Sequence, residues 1–226
     1  MLFIVDFDGT VAPTDTVDSL LEEFADPEWR RIEKDWISGL LNSRECMKAQ
    51  IALVKSDRIT IEKFFRAIEI DPNFPHFVNY VSSFAEVVVV SDGLDYPINM
   101  ALRNIGLSNI SIYANHLEFP DGRLDLSFPF ANSGCTQQSG VCKCNVMRAV
   151  SARAGEPSIL IGDGRSDFCI AGSVDYVFAK GSLREYCETE GISHSPIESF
   201  YDVLTELRKW DSTQFIDRNE EGYVNH

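Results

Sequence analysis

The chain has 226 residues, 44% of them hydrophobic, and carries a formal net charge of -15. That composition supports a packed core and excludes a disordered chain. The acidic balance argues against a nucleic-acid partner, and no apolar run reaches the roughly 18 residues of a membrane span.

Met1 leads almost directly into the first apolar run, LFIVD at 2–6, which reads as a buried strand. No signal peptide is expected ahead of it, and the six cysteines are then those of a thiol-reduced, cytoplasmic protein. From residue 14 to 54 strand alternation is absent. Val17, Leu20, Leu21 and Phe24 form one helical stripe. Asp26 followed by Pro27 predicts an N-cap and a second helix through Trp29, Ile32 and Trp36, both tryptophans being read as packing residues. Helices are predicted over 43–54 and 60–70, the latter capped by Thr60, and another over 74–84.

EVVVVSDG at 86–93 is a second β-branched run that stops on polar residues and Gly. A helix over 94–105 and a short strand near 110–113 follow. Residues 115–129 read as a hairpin turning at Pro120–Gly122. A helix is predicted over 141–154. SILIGDGRSD from 158 to 167 is a further strand ending on Gly and Asp, with another strand near 174–178 and a helix over 199–209. The residues from Asp211 onward are polar and expected to be loosely held.

Strands alternating with helices predict an α/β fold with a parallel, doubly wound sheet, whose ligands gather at the carboxyl ends of the strands. Three predicted strands end there on DFDGT, SDG and GDGRSD. The helical stretch 14–72 is too long for one crossover and is expected to form a cap. The domain division is then 1–13 plus 73–226 for the core and 14–72 for the cap.

Asp6 and Asp8 are one residue apart at a strand end, where ideal geometry puts them on one side. Two neighbouring carboxylates need a cation, and Asp163 offers a third ligand. Hard oxygen donors suit Mg²⁺, which also binds substrate phosphate. One carboxylate can attack phosphorus and the other can shuttle a proton. The Ser91 hydroxyl and the backbone amides of Asp92 and Gly93, expected to open a helix, supply donors for phosphate, and Lys143, near the start of the helix over 141–154, is the best-placed cation. Cys135, Cys142 and Cys144 lack the spacing of a usual zinc site, His116 being the nearest further candidate, and are read as structural thiols.

The set resembles the haloacid dehalogenase superfamily of phosphohydrolases. Its DxDx[TV] motif is matched by Asp6, Asp8 and Thr10. Its strand ending in Ser or Thr is matched by Val87–Ser91, its lone Lys by Lys143, and its GDxxxD by Gly162, Asp163 and Asp167. The resemblance implies a Rossmann-like three-layer sandwich with an inserted helical C1 cap. It implies Asp6 as nucleophile and Asp8 as acid/base, with Mg²⁺ held by Asp6, Asp163 and the Asp8 backbone carbonyl. Thr10 and Asp167 then support the site, and Arg165 and Ser166 face it. The cap resembles that of the phosphoserine phosphatase-like branch. Within that branch, FADPEW and CTQQSGVCK are similar to the methionine-salvage group that acts on 2-hydroxy-3-keto-5-methylthiopentenyl-1-phosphate.

Phosphoserine phosphatases have an acidic residue where Asp15 stands and a basic one near Lys48, so both are candidate specificity residues. The usual Glu and Arg are absent, and Lys for Arg loses a bidentate carboxylate clamp. The expected partner is a small phosphorylated metabolite, with neither nucleic acid nor membrane, and the protein is expected to be a monomer or homodimer. Phosphoserine and phosphocholine- or phosphoethanolamine-type esters are the alternative substrates. The intact Asp6, Asp8, Ser91, Lys143 and Asp163 argue against a non-catalytic binding protein on the same fold.

Overall fold

The computed structural model describes residues 1–135, 138–154 and 157–220. Residues 221–226 of the expected tail lie outside these. Among the described residues seven strands form one sheet: β1 (Leu2–Val5), β2 (Glu86–Leu94), β3 (Ser111–Glu118), β4 (Asp125–Ser127), β5 (Ser158–Gly162), β6 (Tyr176–Ala179) and β7 (His194–Pro196). Their order is β4-β3-β2-β1-β5-β6-β7. All neighbours pair in parallel except β3 and β4, which make the antiparallel hairpin predicted around Pro120–Gly122. The chain leaves β1 toward β2 on one side and reaches β5 on the other. The order therefore reverses at β1, where doubly wound sheets place their ligands.

The helices are α1 (Thr16–Phe24), α2 (Trp29–Ile37), α3 (Ser43–Ile51), α4 (Arg58–Arg66), α5 (Phe74–Val81), α6 (Asp95–Asn104), α7 (Lys143–Ala154), α8 (Phe168–Ala171), α9 (Gly181–Glu190) and α10 (Phe200–Glu220). Strand alternation sorts the layers. Phe3 and Val5 of β1 join Phe77 of α5, Leu102 of α6 and Phe200 of α10 on one face. Leu2 and Ile4 join Val146 of α7, Ile170 of α8 and Leu183 of α9 on the other. The sheet is thus the middle of three layers. Because both faces of β1 are covered, its four residues are at most 1% exposed, which explains an unbroken apolar run. Phe3 and Phe77 meet edge-to-face at 5.1 Å, and burying each ring contributes about 1.5–3 kcal/mol.

A third apolar cluster joins Val17, Leu20 and Leu21 of α1, Trp29 of α2, Ile51 of α3, and Ile61 and Phe65 of α4. It also includes Leu94, Leu117 and Leu126, so the helices inserted between β1 and β2 pack on the β3–β4 hairpin.

Several elements differ from expectation. Asp26 does not cap α2, which begins two residues past Pro27; its carboxylate takes the Glu28 N–H at 3.2 Å in the preceding turn. Thr60 is not a cap either, because Asp57 accepts its N–H at 2.9 Å and its hydroxyl at 3.0 Å. The strand near 110–113 continues into the hairpin as β3. Helix α9 and strand β7 were not foreseen, and α10 continues past Asp211. Among the described residues, no helix is long and apolar enough to cross a membrane.

Candidate active site

The strand ends at the reversal point open into a cavity of about 470 Å³. Asp6, Asp8, Ser91, Asp92, Gly93, Asp163, Gly164, Arg165 and Ser166 form its floor from the sheet side. Asp15, Asp18, Glu33, Trp36, Ile37, Cys46, Met47 and Gln50 line it from the inserted helices. The convergence of DFDGT, SDG and GDGRSD expected from the sequence is therefore met.

Asp6 directly continues β1, and its N–H still donates to the Ile161 carbonyl at 2.9 Å. The ladder thus aims its carboxylate out of the sheet end. Its Oδ1 accepts from the Phe7 N–H at 2.8 Å and from Lys143 Nζ at 3.0 Å. The chain then turns at Gly9, where φ is +73° and a Cβ would overlap the Asp163 carboxylate. Glycine is required there both for the backbone angle and for that approach. The turn places Asp8 beside Ser91, whose hydroxyl lies 3.3 Å from Asp8 Oδ2, while Oδ1 takes the Thr16 N–H at 2.8 Å. Burial lifts the Asp8 carboxyl to about 7, with Asp15 adding and the Thr16 N–H opposing. A carboxyl protonated near neutrality can donate a proton to a leaving oxygen.

Lys143 is the first residue of α7 and is 2% exposed. Its ammonium lies 2.6 Å from Asp167 Oδ1 as well as 3.0 Å from Asp6. Burial opposes the charge, but Asp167 and Asp6 more than offset it and hold the lysine above its ordinary value. Burial also lifts Asp167 to about 7, with Asp6 adding and Lys143 opposing. Asp163 is raised too, by burial and then by Asp6, and Thr10 donates to it at 3.2 Å.

Oxygens of Asp6, Asp163 and Asp167 lie within 4.8 Å of one another, the spacing of a cation site. Asp167 is committed to Lys143 through Oδ1, and the Gly164 N–H reaches its Oδ2 at 3.4 Å. Asp6 and Asp163 are therefore the carboxylates of this group that could hold a cation. Among the described residues the three sequence-adjacent cysteines form no comparable group. His116 pairs with Asp95 at 2.7 Å instead. Cys169 lines the cavity, but burial pushes its thiol up to about 12, which leaves it a poor nucleophile.

The phosphate-loop expectation needs correction in one respect. Asp92 and Gly93 do not open a helix, because β2 runs on to Leu94. Val90 pairs with Tyr113 and Leu94 with Asn115, so three residues of β2 stand opposite one of β3 and the SDG segment bulges from the ladder. Within the bulge the Gly93 N–H donates to Ser91 Oγ at 2.9 Å, orienting that hydroxyl. Asn115 donates to the Asp92 carbonyl at 2.6 Å, and among the described residues its buried Oδ1 has no hydrogen-bond partner.

The specificity candidates separate. Arg165 lines the cavity, and the Ser166 hydroxyl lies 3.5 Å from Asp6. Asp15 lines it too, but its carboxylate caps α1 through the Val17 and Asp18 N–H groups. Lys48 is not brought to the cavity: it is 63% exposed, with Nζ 4.0 Å from Asp125. Lys48→Ala is therefore expected to change kcat/KM by less than about threefold, since such surface pairs contribute little. Steady-state kinetics would check this. Trp29 packs as expected, whereas Trp36 is 39% exposed at the cavity rim, not a core residue. Glu33 and Gln50 escaped sequence reading; Gln50 Nε2 donates to Glu33 at 2.7 Å, and nothing in the local pattern marks that pair.

A family model described as "Putative Phosphatase" matches residues 1–218. A 2-hydroxy-3-keto-5-methylthiopentenyl-1-phosphate phosphatase of Exiguobacterium sp. is 31% identical over 209 residues, covering 91% of this chain and 96% of that one. The protein of that name from Bacillus velezensis is 31% identical over 217 residues, covering 94% and 92%. A solved structure titled "Phospho-Aspartyl Intermediate Analogue of Phosphoserine phosphatase" matches with a TM-score of 0.68 at 22% identity, covering 91% of this chain and 97% of that one. A haloacid dehalogenase family hydrolase from Salmonella enterica serovar Typhi matches with a TM-score of 0.64 at 18% identity, covering 81% and 64%. The structural likenesses carry the fold and the sequence matches carry the family: the chain belongs to the "Putative Phosphatase" family, built on the haloacid dehalogenase fold.

Proposed function

We propose that this chain is a Mg²⁺-dependent phosphomonoester hydrolase that works through an aspartyl phosphate on Asp6, with 2-hydroxy-3-keto-5-methylthiopentenyl-1-phosphate as substrate. The carrying observation is that Asp6, buried against the Lys143–Asp167 pair, lines one cavity with Asp8 and Asp163. Asp6 attacks phosphorus, and Asp8 protonates the leaving oxygen as the P–O bond breaks. Asp8 then takes a proton from water, which attacks the aspartyl phosphate and releases inorganic phosphate. Ser91 and Lys143 meet the charge on the transferring oxygens. Asp6 and Asp163, with the Asp8 carbonyl implied by the family resemblance, would hold Mg²⁺, which neutralises charge on the phosphoryl group. Chelation by EDTA should remove activity, and added Mg²⁺ should restore it; full turnover in EDTA would overturn the metal requirement.

Residues 14–72 act in this reading as the cap that selects the substrate, over a core of 1–13 plus 73–226. Val17, Trp36, Ile37, Cys46 and Met47 give the cap wall an apolar, sulfur-containing surface suited to a neutral thioether tail. The named relatives support the same substrate. A second reading has its own observation. The cap residues lining the cavity include Asp15, Asp18 and Glu33 and no Lys or Arg, which suits a cationic tail such as choline or ethanolamine. Both readings disfavour phosphoserine, whose carboxylate finds no cap cation. Measuring kcat/KM for the thioether ester, phosphocholine, phosphoethanolamine and phosphoserine decides among them. A preference for phosphoserine would overturn the salvage assignment and leave the phosphatase chemistry standing.

A further inference from the structure

We infer that the Asp92 side chain is a positioning residue, which holds the segment carrying Lys143 and the first turn of α3 in register with the phosphate-binding strand end. The inference rests on the phosphatase reading and extends it to a side chain that the chemistry itself does not use.

Asp92 sits in the bulge of β2, between the oriented Ser91 hydroxyl and Gly93. Its backbone is fixed by Asn115, through the 2.6 Å bond to its carbonyl. Its carboxylate then reaches two other parts of the fold. Oδ1 accepts the Val141 N–H at 2.9 Å, and Oδ2 accepts the Ser43 hydroxyl at 3.3 Å. Val141 is two residues before Lys143, and Ser43 is the first residue of α3, the helix that presents Cys46, Met47 and Gln50 to the cavity.

The segment before α7 is held at both ends of one residue. Asp92 takes the Val141 N–H, and the Ser139 hydroxyl donates to the Val141 carbonyl at 2.8 Å. A Cβ on Gly140 would overlap the Asn115 amide, so the segment lies directly against the residue that fixes Asp92. A shift of Val141 moves the start of α7, and with it an ammonium that must stay within hydrogen-bond reach of both Asp6 and Asp167. The other carboxylate oxygen ties the tail-binding wall to the same point. Asp92 therefore registers the phosphate end of the cavity against its tail end by shape. With an acceptor at each end of its carboxylate used internally, it does not act by presenting charge to the substrate.

Substitutions that separate shape from charge test this. Asp92→Asn keeps an acceptor for Val141 and loses the charge. Asp92→Glu keeps the charge and displaces the acceptor by a methylene. Each is assayed for kcat and KM on para-nitrophenyl phosphate and on the preferred metabolite, with thermal midpoints measured alongside. Asp92→Glu and Asp92→Ala are expected to lower kcat by about tenfold or more on both substrates, as misplacement of a transition-state contact does. Asp92→Asn is expected to rescue kcat to within about threefold of the unmodified enzyme. Ser43→Ala should raise KM for the metabolite more than for para-nitrophenyl phosphate. The reverse order, with Asp92→Glu active and Asp92→Asn impaired, would overturn positioning in favour of a charge contact. An unmodified kcat in Asp92→Glu and Asp92→Ala would overturn it outright. An unmodified protein that hydrolyses no monoester would bring down the phosphatase reading and this inference together, so the two failures are distinguishable.

Discussion

Asp6→Asn is expected to reduce turnover at least about a hundredfold while the protein stays folded. The carboxylate is buried, is aimed by the last ladder hydrogen bond of β1, and faces the cavity. Its Oδ1 is held by the Phe7 N–H and Lys143, which leaves an amide oxygen able to take the same two bonds. The change therefore preserves the packing and removes the proposed nucleophile, because an amide attacks phosphorus poorly. Far-UV circular dichroism and the thermal midpoint should stay close to those of the unmodified protein. Acid quench with labelled substrate should trap phosphate on the unmodified chain and none on the variant. Residual activity above about one hundredth would remove Asp6 from the nucleophile's role.

Lys143→Ala is expected to lower kcat by about 10²–10⁴, the range for loss of a charge contact made in the transition state. It should also destabilise the fold, unlike Asp6→Asn. Asp6 and Asp167 share this buried ammonium, and removing one partner of a buried ion pair typically costs about 3–5 kcal/mol. The stability loss should fall when Asp167→Asn is added, since that removes one stranded carboxylate. The rate should not recover, because the cation proposed to meet the phosphoryl oxygens is still missing. Chemical denaturation of the single and double variants, with kcat measured on each, separates the two effects. A rate unchanged in Lys143→Ala, with Mg²⁺ binding intact, would mean that another cation serves the transferring phosphoryl group.

The strand ends that build the site were legible because each couples a β-branched or apolar run to an abrupt polar stop. Leu2–Val5, Val88–Val90 and Ser158–Gly162 are covered on both faces, so they carry no alternation to blur the signal, and the polar residues that follow stand out against them. Helix α9 and β7 were not legible for the opposite reason. Only Leu183 and Cys187 are buried in α9, and β7 is three residues long with none fully buried. Their places come from packing beside β6, not from a strong pattern of their own.

The sequence by itself determined the α/β class, the helical insertion, and the order in which Asp6, Asp8, Ser91, Lys143, Asp163 and Asp167 arrive at one end of a sheet. Backbone periodicity and residue chemistry are local properties, and that is enough to assign elements and the groups at their ends. Whether a side chain turns inward is a property of what packs against it. A lysine at the head of a helix reads equally well as a solvated one, and the fold buries Lys143 by setting Asp6 and Asp167 on either side of it. Lys48, also on a helix, is left in solvent instead. The bulge that frees Ser91–Gly93, the exposure of Trp36 at the cavity rim and the Gln50–Glu33 pair each depend on contacts between segments far apart in the chain. They follow from packing, because the free energy that selects each arrangement resides in those contacts between segments rather than in either segment alone.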